Sequence, residues 1–212
     1  MKKMLQMTVA TCLLLAAGWA QSQPTEMLEK ARHGDSRAQH KLGQMYEAGQ
    51  GVAQSDRSAV QWYRRAAERG LPEAQTALAS MYSNGQGVMA SEAQALAWYR
   101  RAANQGNALA QFTLGSKYER GIDVDRDDRE AVKWLQLAAN QGHAKAQNHL
   151  GLMYASGRGV VQDASQAVKW LQRAADQGDA VARQILTTED FAHQDAAPNA
   201  QRRIACDSCA AP

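Results

Sequence analysis

Few residues in this chain combine a reactive type with a spacing that chemistry could use. Cys206 and Cys209 form a C-x-x-C pair near the C-terminus. Such a pair is redox-active when a strand and a helix start lower a thiol pKa, and the flanking residues show neither pattern. A zinc site would need two further ligands, and His193 is the one nearby candidate. A small disulfide loop or pairing with another chain is the plainer expectation. Asp123, Asp125 and Asp127 have the alternate spacing of a calcium loop's first ligands. The sixth position is Asp128 rather than Gly and the twelfth is Trp134 rather than Glu, so a solvated loop running into a helix cap fits better. His33, His40, His143 and His149 lie apart without an H-E-x-x-H pattern, and no Ser-His-Asp or paired-carboxylate arrangement emerges. Gly49-Gln50-Gly51-Val52, Gly85-Gln86-Gly87-Val88 and Gly157-Arg158-Gly159-Val160 could cradle phosphate, but no Lys-Ser/Thr dipeptide follows and no strand precedes them. They read as turns. No catalytic residue, metal or cofactor is expected.

The elements that carry these residues follow a fixed step. Trp62, Trp98, Trp134 and Trp170 stand 36 residues apart, as do Leu42, Leu78, Leu114 and Leu150, and Gly70, Gly106, Gly142 and Gly178. A constant period of this length marks stacked supersecondary units that bury a core between neighbours. The units are 35–70, 71–106, 107–142 and 143–178. In the first, Ala38, Leu42, Met45, Tyr46 and Gly49 recur at steps of three and four and line one helix face. Gly43, Ala79, Gly115 and Gly151 keep that helix slim enough for close packing.

The paired glycines end the first helix, because they supply the positive φ of a sharp reversal. Ser55, Ser91, Asp127 and Asp163 then cap a second helix. Gln94, Glu130 and Gln166 follow three residues later, as in a capping box. Each second helix carries Trp, then Tyr63, Tyr99, Leu135 or Leu171, then an Ala-Ala pair, and closes at the recurring glycine. The tryptophans are expected in the core, since buried aromatics dominate such packing.

L-G-x-M-Y-x-x-G-x-G-V, followed by a capped helix ending W-Y/L-x-x-A-A-x-x-G, resembles the Sel-one-like repeat, a relative of the tetratricopeptide repeat. The resemblance covers about 35–178. It implies an all-α fold, a right-handed α-solenoid of antiparallel helix pairs, and an adaptor's role in holding other proteins together. It also implies that the first helices line a concave groove. A cysteine-rich secreted branch of the family is associated with penicillin binding and β-lactam hydrolysis. Cysteines staple the repeats there, whereas no repeat here contains one.

The flanks are expected to cap the array. Residues 21–34 resemble the second helix of a missing unit, 179–187 the start of another first helix, and 188–212 a flexible tail. Lys2, Lys3 and the apolar run Val9–Ala17 resemble a signal peptide, with Gly18-Trp19-Ala20 placing small residues before a cut after Ala20. The run is shorter than the ~20 residues of a membrane span. Val9-Ala10-Thr11 before Cys12 is a poor lipobox. A periplasmic or secreted protein without an integral membrane segment is the expectation. Loss of Lys2 and Lys3 takes the formal charge from +3 to +1, which offers no nucleic-acid footprint.

Positions that hold constant maintain the fold, so function is sought where equivalents differ. Positions 40, 44 and 47 lie opposite the Leu42 face by helical angle. They and their equivalents read His40, Gln44, Glu47; Thr76, Ser80, Ser83; Phe112, Ser116, Glu119; and Asn148, Leu152, Ala155. Thr76, Ser80, Phe112, Ser116, Asn148 and Leu152 form the expected binding face. Phe112 and Leu152 would act as apolar anchors for a peptide, helix or envelope protein. A redox-responsive regulator acting through Cys206 and Cys209 is the competing expectation outside the adaptor and enzyme classes.

Overall fold

Each 36-residue period encodes two thirteen-residue helices and the two turns that reverse the chain. The computed structural model describes residues 26–187. The segments expected to be a signal peptide and a tail, with the pair Cys206 and Cys209, lie outside the described residues. Every regular element among the described residues is a helix. A first helix, α1, covers 26–32. It is followed by α2 (Ser36–Ala48), α3 (Asp56–Glu68), α4 (Pro72–Asn84), α5 (Glu92–Asn104), α6 (Ala108–Arg120), α7 (Asp128–Asn140), α8 (Ala144–Ser156), α9 (Ala164–Asp176) and α10 (Ala180–Thr187). This is the all-α, paired-helix architecture expected of a solenoid. None of these helices is long and apolar enough to cross a membrane.

The turns form as their residues dictate. Gly49, Gly85, Gly121 and Gly157 cap α2, α4, α6 and α8 with φ of 67–68°, their N–H groups bonding back to the carbonyls of residues 45, 81, 117 and 153. The side chains of Ser55, Ser91, Asp127 and Asp163 each accept the N–H three residues on, which satisfies an orphan donor of the new helix. Asp123 takes the place of the second glycine in the third period and adopts φ 61°, so the turn survives without it.

Contacts group the described residues into two units, 26–105 and 106–187. In the first, α3 packs against α2 and α4, and α4 against α5. Its N-terminal cluster joins Ala31, Ala38 and Leu42, with Met27, Tyr46 and Trp62 around them. In the second unit α6 to α10 pack in chain order, each against the next. Its main cluster gathers Leu135, Ala138, Ala139, Leu150, Met153 and Trp170.

The tryptophans depart from expectation. Trp170 is buried, but Trp62, Trp98 and Trp134 are half-buried. The innermost side chain is the next residue, Tyr63, Leu135 or Leu171, at 0–1 % exposure. A step of one residue turns a helix by ~100°, enough to move the ring from core to flank. Arg65 and Arg101 then lie over Trp62 and Trp98 at 4.6 Å, a cation–π cover for rings at the edge of the core, and Arg173 lies over the buried Trp170 at 4.7 Å.

Candidate functional site

The expected binding face is only partly an open surface. In the first unit Thr76 is buried and its hydroxyl donates to the Pro72 carbonyl at 2.9 Å, while Ser80 is half-buried. In the second unit Asn148 is buried, and its Nδ2 donates to Asp179 Oδ1 at 2.8 Å. Thr76 and Asn148 are therefore corrected from surface contacts to structural positions. Asp179 directly precedes α10, so the start of a following first helix covers the position a helical wheel places outside.

Phe112 is covered in the same way. His143, the N-cap of α8, stacks on its ring at 4.6 Å, and His149 meets it edge-on at 5.5 Å. Phe112 is thus a half-buried wall between α6 and α8 rather than a protruding anchor. Ser116 is half-buried, and its hydroxyl oxygen lies buried without a hydrogen-bond partner. Leu152 is the most open of the six, at 37 % exposure.

Phe112, Thr113, Ser116, Lys117, Arg120, Ile122, Lys145 and His149 line one depression of about 440 Å³ in the second unit. Its rim is cationic. Lys117 pairs with Asp123 across the turn after α6. Glu119 Oε2 meets His149 Nδ1 at 2.7 Å, and its Oε1 accepts from Arg158 at 2.6 Å. Burial alone would raise the Glu119 carboxyl, but the hydrogen bonds and charges of His149 and Arg158 hold it below the usual range. Arg120 and Lys145 are exposed and enter no ion pair among the described residues. Burial, with Lys145 and His149 nearby, holds the His143 imidazole below its ordinary pKa. Its Nδ1 then accepts the Ala146 N–H at 3.2 Å as a neutral cap.

The aspartates of the third turn have other tasks. Asp127 caps α7, Asp123 pairs with Lys117, and Asp128 pairs with Arg126. Among the described residues no group of three or more His, Cys, Asp or Glu is arranged to hold a metal ion.

Helical-angle reasoning passed over the glutamines. Gln39, Gln75 and Gln147 are buried and donate to the carbonyls of Ala31, Ala67 and Ala139 in the preceding helix. Gln105, Gln141 and Gln177 in turn donate to Gln75, Gln111 and Gln147 at 2.7–2.8 Å. The signal was present, since Gln39, Gln75, Gln111 and Gln147 keep the 36-residue step. The cationic rim was legible as well. Met45, Met81 and Met153 stand where Lys117 does, and Ala48, Asn84 and Ser156 where Arg120 does.

This array of helix pairs with paired-glycine turns defines a helical-repeat protein. The Sel1 repeat pattern matches residues 36–71, 72–107, 108–143 and 144–179, and the chain belongs to that family. The crystal structure of a Sel1 repeat protein from Oxalobacter formigenes is similar at 41 % identity and TM-score 0.76, over 79 % of this chain and 49 % of that one. The structure of c5321, a protective antigen present in uropathogenic Escherichia coli strains, is similar at 36 % identity and TM-score 0.72, over 75 % and 34 % of the two chains. This chain therefore spans about half of the first relative and about a third of the second. No curated protein sequence matches it. Proteins of this repeat class are generally non-enzymatic scaffolds for protein–protein interaction.

Proposed function

We propose that this protein is an exported adaptor that takes a peptide, a helix or an envelope protein on the faces of its first helices. The observation that carries the reading is the division of labour within each period. Recurring Leu, Ala, Gly and Gln positions are consumed by helix packing, whereas the first-helix positions 44, 80, 116 and 152 vary as Gln44, Ser80, Ser116 and Leu152. Leu152 keeps a large apolar side chain partly in solvent there. A rigid repeat with a variable face suits recognition, because ordering costs are already met when the partner arrives.

Two measurements test the reading. Full-length protein expressed in its host is fractionated and its N-terminus sequenced. Export is supported by a periplasmic or secreted species beginning at Gln21 and fails if the protein remains cytoplasmic with Met1 or Lys2 leading. Crosslinked capture is then run with the parent and with the variant Ser80→Arg, Leu152→Asp. A protein held by the parent and lost by the variant supports the adaptor, and identical capture by both refutes use of this face.

A further inference from the structure

The third period departs from its siblings at several positions, and those departures meet in one place. Phe112 stands where the others have His40, Thr76 and Asn148. Lys117 replaces methionine, Arg120 replaces Ala48, Asn84 and Ser156, and Ile122 replaces Gln50, Gln86 and Arg158. A repeat needs none of these changes to stack, since the other periods stack without them. All four side chains line the depression between α6 and α8, together with Lys145 and His149 of the next period.

The charges there are unevenly balanced. Lys117 is neutralised by Asp123, and Glu119 is shared between His149 and Arg158. Arg120 and Lys145 remain as exposed cations on opposite helices, beside the apolar surface of Phe112 and Ile122. Cations placed beside an aromatic wall favour an anion that brings an apolar group with it. The volume of about 440 Å³ suits a few side chains of an extended peptide rather than a whole helix.

We propose that the depression between α6 and α8 binds an acidic peptide segment, with Arg120 and Lys145 holding its carboxylates and Phe112 and Ile122 receiving an adjacent apolar side chain. This assignment rests on the adaptor reading and names the chemistry of the partner. Charge complementarity fixes the occupant. A basic segment would meet two uncompensated cations, and a neutral apolar one would leave them unused.

The test is a displayed library of random heptapeptides selected on the full chain. One enriched peptide is then titrated by fluorescence anisotropy against the parent, against Arg120→Glu, Lys145→Glu, and against Arg57→Glu, Lys169→Glu. The last pair makes the same change of charge at exposed positions outside the depression. The selected pool is expected to combine Asp or Glu with an aliphatic or aromatic residue. Affinity is expected to fall about tenfold or more in the first double variant, where like charges now face each other, and by less than about twofold in the second. Binding should also weaken steadily between about 50 and about 500 mM salt. Should the first double variant melt early, Lys145→Gln and the salt series of the parent carry the same comparison.

A neutral or basic pool overturns the proposal, as does equal binding by the two double variants. An empty selection beside a protein captured through Ser80 and Leu152 also overturns it and leaves the adaptor standing. An empty selection with no such capture removes both.

Discussion

Gly159 lies against the first turn of α7 so closely that a Cβ atom there would overlap the carbonyl oxygen of Asp128. Gly87 meets the carbonyl of Asp56 in α3 in the same way. The second glycine of these two turns thus does more than reverse the chain. It seats one period's loop on the second helix of the period before it, and both glycines hold positive φ. Gly159→Ala is expected to cost about 2–4 kcal/mol, combining left-handed strain with the displaced turn. Urea unfolding monitored by circular dichroism would read the loss, and a change below about 0.5 kcal/mol would contradict this packing.

The glutamine ladder has a gap at its N-terminal end. Position 69 holds arginine where Gln105, Gln141 and Gln177 stand, and Gln39 Oε1 is buried without a partner. The Arg69 guanidinium lies beside Gly34 instead. Arg69→Gln should supply the missing donor and stabilise the protein by about 0.5–1.5 kcal/mol. Gln147→Leu should destabilise it by about 1–3 kcal/mol, because the Ala139 carbonyl and the Gln177 amide lose their partner. Opposite signs in thermal melts of these two variants are the expected result.

The core and the outer face of the first helices should respond very differently. Leu135 is fully buried, and Leu135→Ala is expected to cost about 2–5 kcal/mol. Leu152→Asp, at a partly open position, should stay within about 0.5 kcal/mol. Equal damage from the two would misplace Leu152.

Acid should loosen the start of α8. A lowered His143 pKa means that the unfolded chain binds the proton more readily than the folded one. Its contribution is therefore complete above the unfolded value of about 6.5 and declines as pH falls through the folded pKa. Protonated Nδ1 can no longer accept the Ala146 N–H. His143→Asn places at this cap the residue type already present at Asn107, and it should reduce the loss of stability between about pH 7.5 and pH 5. Glu119 titrates below that window, since its pKa is held down, so its own contribution is lost only in stronger acid. An unchanged pH slope in the Asn variant would refute the neutral-cap assignment.

The sequence by itself determined the period, the helix pair, the caps and the turns. Those features depend on local chemistry: a hydroxyl or carboxylate three residues before an N–H, a glycine where φ must be positive, an apolar face at steps of three and four. It also held the glutamine step and the singular composition of the third period. Tertiary structure decided which flank of each helix meets solvent. Trp134 lies at the edge of the core and Leu135 at its centre, because neighbouring helices select one rotational setting that a repeating pattern leaves open by a residue or so. Thr76 and Asn148 are buried on a face the helical wheel turns outward, and Phe112 is walled by His143 and His149. A wheel describes one helix, whereas the covering atoms at Asn148 and Phe112 come from the following period, about thirty residues away.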